Sequence, residues 1–236
     1  MADSHRLSVI MPVYNEEGAI AAAVDEVKQF VLAVIPESEL VVVDDGSRDG
    51  TACLLDDAAA GDPRIRVIHQ PNGGHGAALL TGLNAASGEY VFLIDSDRQI
   101  PLDNFQAAWA EIMAGRDGVF GVRRRRYDPV LRLYLSRLIR HSVNVLFRVN
   151  LQDPNAPYKL FRRGIWTGAR DCVPDGTLAP SLFLAIAAKS RGYNILEIDV
   201  AHKERHTGEV TLRKFTLLKF CARGFRQMLG LLRRVR

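Results

Sequence analysis

Four short apolar runs, each stopping at a polar cluster, constrain this 236-residue chain more than any other feature. Leu7–Pro12 leads into Tyr14, Asn15, Glu16 and Glu17, and Leu40–Val43 ends at Asp44-Asp45-Gly46-Ser47. Arg64–His69 leads to Asn72-Gly73-Gly74-His75-Gly76, and Tyr90–Ile94 ends at Asp95-Ser96-Asp97-Arg98-Gln99. Short apolar runs bounded by turn formers read as buried strands. Between them, residues 18–34, 51–60 and 76–86 space their apolar side chains as helices do, and a helix over 102–114 and a strand over 118–122 continue the alternation. Strands alternating with helices predict an α/β fold whose mostly parallel sheet is covered on both faces. In such sheets the ligand crevice lies beyond the carboxyl ends of the strands, which is where the polar clusters stand.

From Arg123 the texture changes. Residues 129–149 read as a long basic helix with Pro129 at its start, where a missing N–H costs nothing. A polar loop, LQDPNAPY, precedes a short KLFRR strand, and a helix over 180–191 and a strand over 194–200 follow. With no internal repeat, the expected organisation is one domain over 1–210 and a basic amphipathic helix over 211–236. Three widely spaced cysteines, without a Cys-x-x-Cys pair, fit a reducing cytoplasm better than a disulfide framework. The N-terminal apolar run is too short for a signal peptide, and no stretch reaches the ~18 apolar residues of a membrane span.

Charge is divided along the chain. Residues 1–122 hold 19 of the 27 acidic residues but only 7 of the 31 Lys and Arg. An acidic half suits a divalent cation, and a basic half suits phosphates or lipid head groups. Two carboxylates one residue apart, Asp95 and Asp97, can grip a hard cation that also binds a diphosphate and steadies it as it departs. The turn at Gly73-Gly74-His75-Gly76 opens a helix, and its backbone N–H groups suit a phosphate. Each motif taken singly is also an ordinary solvated turn. Their order and spacing carry the argument.

The segments MPVYNEE, VVVDDGSRDGT, NGGHGAALLTGLNAASGEYVFLIDSDRQIP and DPNAPYKLFRR resemble, in that order, the family 2 glycosyltransferases of the GT-A fold. Within them the likeness is to the dolichol-phosphate mannose synthase-like, polyprenyl-phosphate glycosyltransferases, and it runs from Leu7 to Gly208. The resemblance implies a Rossmann-like, mostly parallel sheet flanked by helices. It implies that Pro12, Tyr14, Glu16 and one of Asp44 and Asp45 line a nucleoside pocket, and Ser96, Gly74 and Gly76 are assigned to the same nucleotide-sugar site. Asp95 and Asp97 correspond to the family's metal pair, for Mg²⁺ or Mn²⁺, with Gln99 completing the site. Arg123, Arg132 and Ser136 match the positions next to the lipid phosphate, Asp153 the position meeting the sugar or the arginines, and Arg205 the segment closing over the diphosphate. Departures occur at Ala156-Pro157-Tyr158, where many members have small residues and Gly-Phe, and at Val210-Thr211, where Ser-Lys is common. A dinucleotide-binding Rossmann enzyme is disfavoured, because no G-x-G-x-x-G follows the first strand.

The expected reaction is an inverting transfer of a hexose from a GDP- or UDP-linked sugar to a polyprenyl phosphate. A phosphate acceptor is already anionic, so positioning and charge stabilisation suffice. The alternative, transfer to a hydroxyl of a soluble or polysaccharide acceptor, requires a base, for which Asp153 or Asp97 would have to serve. Arg132, Ser136 and Arg140 share one helix face, while Arg124–Arg126 read as solvated. In the tail, Phe215, Leu218, Ala222, Phe225, Leu229 and Leu232 form an apolar stripe opposite basic residues, as in helices lying on anionic lipid. A helix packed on the domain fits the same pattern. Peripheral contact with the cytoplasmic face of a membrane is expected, and nucleic acid is not.

Overall fold

The computed structural model describes residues 5–124, 130–174, 176–203, 224 and 226–232. Seven strands lie in it: β1 Leu7–Val13, β2 Ser38–Asp44, β3 Ile65–His69, β4 Tyr90–Leu93, β5 Gly118–Arg123, β6 Lys159–Arg162 and β7 Ile195–Val200. They form one sheet in the order β3-β2-β1-β4-β6-β5-β7. Seven α-helices connect them: α1 Ile20–Val27, α2 Thr51–Gly61, α3 His75–Ala85, α4 Phe105–Met113, α5 Val130–Phe147, α6 Arg163–Ala169 and α7 Pro180–Ser190.

Every residue of β1 and of β2 is buried, the mark of strands covered on both faces. Ile10, Val41, Val43, Val91 and Leu93 face one core with α3 and α7. Val9, Met11, Leu40, Val42 and Phe92 face the other, with α1 and α4. The polar exceptions satisfy one another: Ser8 donates to Glu39, and the Ser87 and Gly88 N–H groups donate to Glu39 and Ser8.

The chain runs from β1 outward to β2 and β3, then returns to place β4 on the other side of β1. That reversal opens a crevice beyond the carboxyl ends of β1 and β4. Tyr14–Glu17 and Asp95–Gln99 follow those two ends directly.

The mostly parallel sheet expected from the alternation is present, with one departure. β6 runs antiparallel to both β4 and β5, and it sets Lys159 opposite both Leu93 and Phe120. Lys159 thus enters the sheet at the edge where β4 and β5 leave it. The helix expected over 18–34 is α1 followed by a π-helical turn, Lys28–Leu32. α6 was not anticipated, since Ile165, Trp166 and Ala169 bury too short a stretch to show a period.

The described part of the tail follows the second of its two readings, a helix packed on the domain. Residues 226–232 are helical, and Met228 and Leu231 are buried in the core shared with α3 and α7. Burying side chains of this size is worth ~1.5–3 kcal/mol each. The Gln227 side chain bonds to Thr177, to the Leu178 N–H and to the Gly176 carbonyl. Leu229, assigned to a lipid-facing stripe, is 43% exposed, while Leu232 packs inward. The described part of the tail therefore docks on the domain. The boundary expected at 210/211, the side chain of Arg132, and Arg205 lie outside the described residues. Among the described residues, no helix is long and apolar enough to cross a membrane.

Candidate active site

At the crevice end of β1, Pro12 is buried in the strand and Glu16 is buried just past it, while Tyr14 is 39% exposed. The Glu16 N–H donates to the Thr51 hydroxyl, which ties the β1 turn to the start of α2. Asp44, at the end of β2, accepts the Ser47 N–H at 3.0 Å and the His69 Nδ1 at 2.9 Å. Burial works to raise the Asp44 carboxyl, yet the hydrogen bonds from Ser47 and His69 hold it below its ordinary value. His69 also reaches Asp56 at 3.1 Å, and the two carboxylates raise its pKa.

Asp45 has a different task. Its carboxylate accepts the Gln70 side-chain amide at 2.7 Å, the Gly73 N–H at 2.9 Å and the Gly74 N–H at 2.7 Å. These are two of the backbone donors expected to suit a phosphate, and here both donate to Asp45. Gly76 is explained by packing, since a Cβ there would stand 2.2 Å from the Thr177 carbonyl oxygen. Of the residues assigned to the nucleotide sugar, Asp45 holds Gly74, Gly76 packs against Thr177, and Asp44 is braced by Ser47 and His69.

Beyond β4, Asp95 and Asp97 line a small hollow with Ile94, Ile100, Pro157 and Tyr158. Ser96 between them is buried. The Gln99 N–H donates to Asp97 at 3.1 Å, and its side-chain amide donates to the Lys203 carbonyl at 3.1 Å. Arg98 takes a left-handed conformation, φ 55°, and its guanidinium pairs with Glu26 at 2.8 Å. The Tyr158 hydroxyl is buried without a hydrogen-bond partner among the described residues. No group of three or more His, Cys, Asp or Glu side chains converges among the described residues.

Past β5 the chemistry reverses sign. Arg123 and Asp153 form a part-buried, two-pronged ion pair, with Nε at 2.8 Å and a terminal nitrogen at 3.1 Å. They stand at a cavity of about 510 Å³. Ser136, Arg137 and Arg140 of α5 contribute polar lining, and Leu133, Leu182, Phe183 and Met228 an apolar wall. The shared face of Ser136 and Arg140 thus does meet Arg123. Arg124, read as solvated, is exposed and pairs with Asp199.

Two features were not visible in the sequence. Met228 and Gln227 of the tail help to enclose the cavity. Lys159 is wholly buried beneath the loop between the two hollows, and desolvation drives its pKa down to about 7. Nothing in KLFRR signals a buried cation; only the register of β6 reveals it.

Residues 8–178 match the family described as "Glycosyl transferase family 2". The chain belongs to glycosyl transferase family 2. Among curated family relatives, the undecaprenyl-phosphate 4-deoxy-4-formamido-L-arabinose transferase of Pseudomonas fluorescens (strain Pf0-1) is 34% identical over 207 residues, covering 87% of this chain and 59% of its own. The enzyme of the same name from Aeromonas hydrophila is 33% identical over 209 residues, 88% of this chain and 63% of its own. This family 2 chain thus spans about three fifths of the length of these relatives. Among solved structures, glucosyl-3-phosphoglycerate synthase from Mycobacterium tuberculosis, in complex with Mn²⁺, UDP and phosphoglyceric acid, superposes with a TM-score of 0.70 at 22% identity. It covers 97% of this chain and 78% of its own, and at that identity it shows the shared GT-A fold.

Proposed function

We propose that this family 2 domain moves a sugar from a nucleoside diphosphate, GDP- or UDP-linked, to a polyprenyl phosphate. The observation that carries the reading is the cavity of about 510 Å³, in which arginines and Ser136 stand beside an apolar wall. A lipid phosphate has the matching character: a doubly charged head for guanidinium forks and a hydrocarbon chain for Leu182, Phe183 and Met228. The relatives named for undecaprenyl-phosphate transfer support the same acceptor class.

On the donor side, the residues fit a divalent cation. Asp95 and Asp97 offer two carboxylates in one hollow, a donor set suited to Mg²⁺ or Mn²⁺ sites that leave positions for substrate phosphates. Such an ion, when bound, supplies positive charge to the departing nucleoside diphosphate. The protein's own residues do the rest. The β1 turn at Pro12–Glu16 and the braced Asp44 receive the nucleoside, and Asp97 is steadied by the Gln99 N–H. Arg123, with Ser136 and Arg140 beside it and Arg132 one turn earlier on α5, binds and aims the acceptor phosphate at the anomeric carbon, with inversion. Arg205 completes the diphosphate site in this reading. A phosphate nucleophile needs no base, and Asp153, the carboxylate nearest the cavity, is already committed to Arg123.

Contact with the lipid surface falls to the outer face of α5. Tyr134, Leu138 and Val145 are 63%, 62% and 61% exposed there, and the Arg137 guanidinium lies over the Tyr134 ring. The test is transfer of labelled sugar from a panel of nucleotide sugars, with Mg²⁺ or Mn²⁺, into an organic extract. Label is expected there only when polyprenyl phosphate is supplied; equal transfer to a soluble alcohol overturns the reading.

A further inference from the structure

The loop over 151–158 is a partition, and four different elements hold it. Asn144 of α5 bonds both the N–H and the carbonyl of Leu151, each at 3.0 Å. Glu197 of β7 accepts the Gln152 N–H at 2.8 Å, and Arg123 of β5 grips the Asp153 carboxylate. The fourth anchor is Lys159 of β6, whose ammonium donates to the Ala156 carbonyl. The Ala156 N–H in turn donates to the Asp153 carbonyl at 3.2 Å, so the residue held by Lys159 also closes the turn that carries Asp153.

This partition has two working faces. Asp153, Pro154 and Asn155 line the large cavity with Arg123 and Ser136. Pro157 and Tyr158 line the small hollow with Asp95 and Asp97. Lys159 lies beneath both, 0% exposed, its ammonium 5.6 Å from the Phe120 ring centroid. Asp153, Arg123, Asp95 and Glu197 all act on it electrostatically. An ammonium in the middle of a sheet is costly, and a buried charge replaced together with its partners by apolar groups is often neutral or stabilising for a fold. Fold stability therefore does not account for a lysine here, whereas the loop it holds does.

We propose that Lys159 is a positioning residue for sugar transfer: by pinning the 151–158 loop it sets Arg123, and the acceptor phosphate held there, at a fixed place relative to Asp95 and Asp97. This rests on the acceptor-phosphate reading above. Lys159 touches neither substrate. Its effect travels through the loop, and small misplacements of aligned reactants cost up to ~10²-fold in rate.

The experiment uses the full chain with Lys159→Met, which keeps length and removes charge. The melting temperature is expected to change by only a few degrees, because relief of the buried charge offsets the Ala156 carbonyl left without its donor, and the thermal shift given by nucleotide sugar with Mg²⁺ is expected to stay as in the wild type. The KM for polyprenyl phosphate is expected to rise about 10-fold and kcat to fall by ~10–100-fold. In an Arg123→Lys background the same substitution is expected to add little, because both changes act on one loop. A lower melting temperature with unchanged acceptor KM and kcat overturns the proposal, and so do losses that multiply in the double variant. If the methionine variant does not fold, Lys159→Gln, whose amide reaches one atom less far and so loosens the hold on Ala156, is expected to lie between wild type and loss; wild-type acceptor KM and kcat in a Lys159→Ala variant that folds overturn the proposal equally. Absence of lipid-linked product from the wild-type protein sinks the acceptor reading itself, whereas product with unchanged kinetics in the variant sinks the role of Lys159 alone.

Discussion

The two halves of the sheet's carboxyl edge are built by opposite means. On the proposed donor side, beyond β1, β2 and β4, the groups are acidic, and adjoining turns brace Asp44 through Ser47 and Asp97 through Gln99. On the acceptor side, beyond β5, the groups are basic and are brought together from α5, the 151–158 loop and the tail. In the proposed reading, donor recognition is thus written in local motifs, while acceptor recognition is written in tertiary packing. Damage should follow that division: lost chemistry on one side, lost placement on the other.

The sharpest way to break the comparison is at Asp97. Asp97→Ala removes one of two carboxylates in the small hollow and is expected to lower turnover on the order of 10²–10³-fold with little change in melting temperature. Release of nucleoside diphosphate, measured with and without chelator, checks it, and chelation of the wild-type protein should reproduce the loss. Turnover that ignores both would remove the cation from the donor side altogether.

Arg123→Lys tests the acceptor side next. It keeps the charge but loses the fork that grips Asp153 at 2.8 and 3.1 Å. The expected outcome is a ~10-fold or greater fall in kcat/KM for the acceptor, with donor affinity by thermal shift unchanged. Equal losses toward donor and acceptor would erase the distinction between the two sides.

This division also explains what could be read in advance. The strands β1 to β5, their order and the clusters at their ends were legible because each is a contiguous run with its own period and turn residues. Asp95 and Asp97 needed no tertiary information. Lys159 did, since burial of that lysine follows from the antiparallel insertion of β6 between β4 and β5. The inward face of the tail was misassigned for a related reason. The basic helix shows several apolar positions, and only its docking against residues 176–183 selects Met228 and Leu231 over Leu229. Asp45 is a third case. Its motif was visible, but its capture of the Gly73 and Gly74 N–H groups is a contact across 28 and 29 residues.

Leu231→Ala asks whether the tail belongs to the acceptor side. The side chain is fully buried, so truncation is expected to cost about 2–4 kcal/mol in urea unfolding. Because Met228, one turn earlier, lines the cavity, acceptor KM should rise while donor binding stays. A destabilised protein with unchanged acceptor KM would reduce the tail to a structural prop.

The smallest effect is expected at His69, and it tests whether donor-side bracing is electrostatic. Its pKa is raised above 6.5 by the Asp44 and Asp56 carboxylates, so the folded protein holds the proton more tightly than the unfolded chain. Stability from this source is fully present below the unfolded value of about 6.5 and is lost as pH rises through the higher folded value. The imidazole is 43% exposed, so solvent screening keeps the contribution below ~1 kcal/mol. His69→Gln should accordingly cost more stability near pH 6 than near pH 9, read as the difference between two thermal melts. A cost independent of pH would mean that His69 holds Asp44 by its shape and hydrogen bonds alone, and the charge contrast between the two sides would then rest on Asp95 and Asp97.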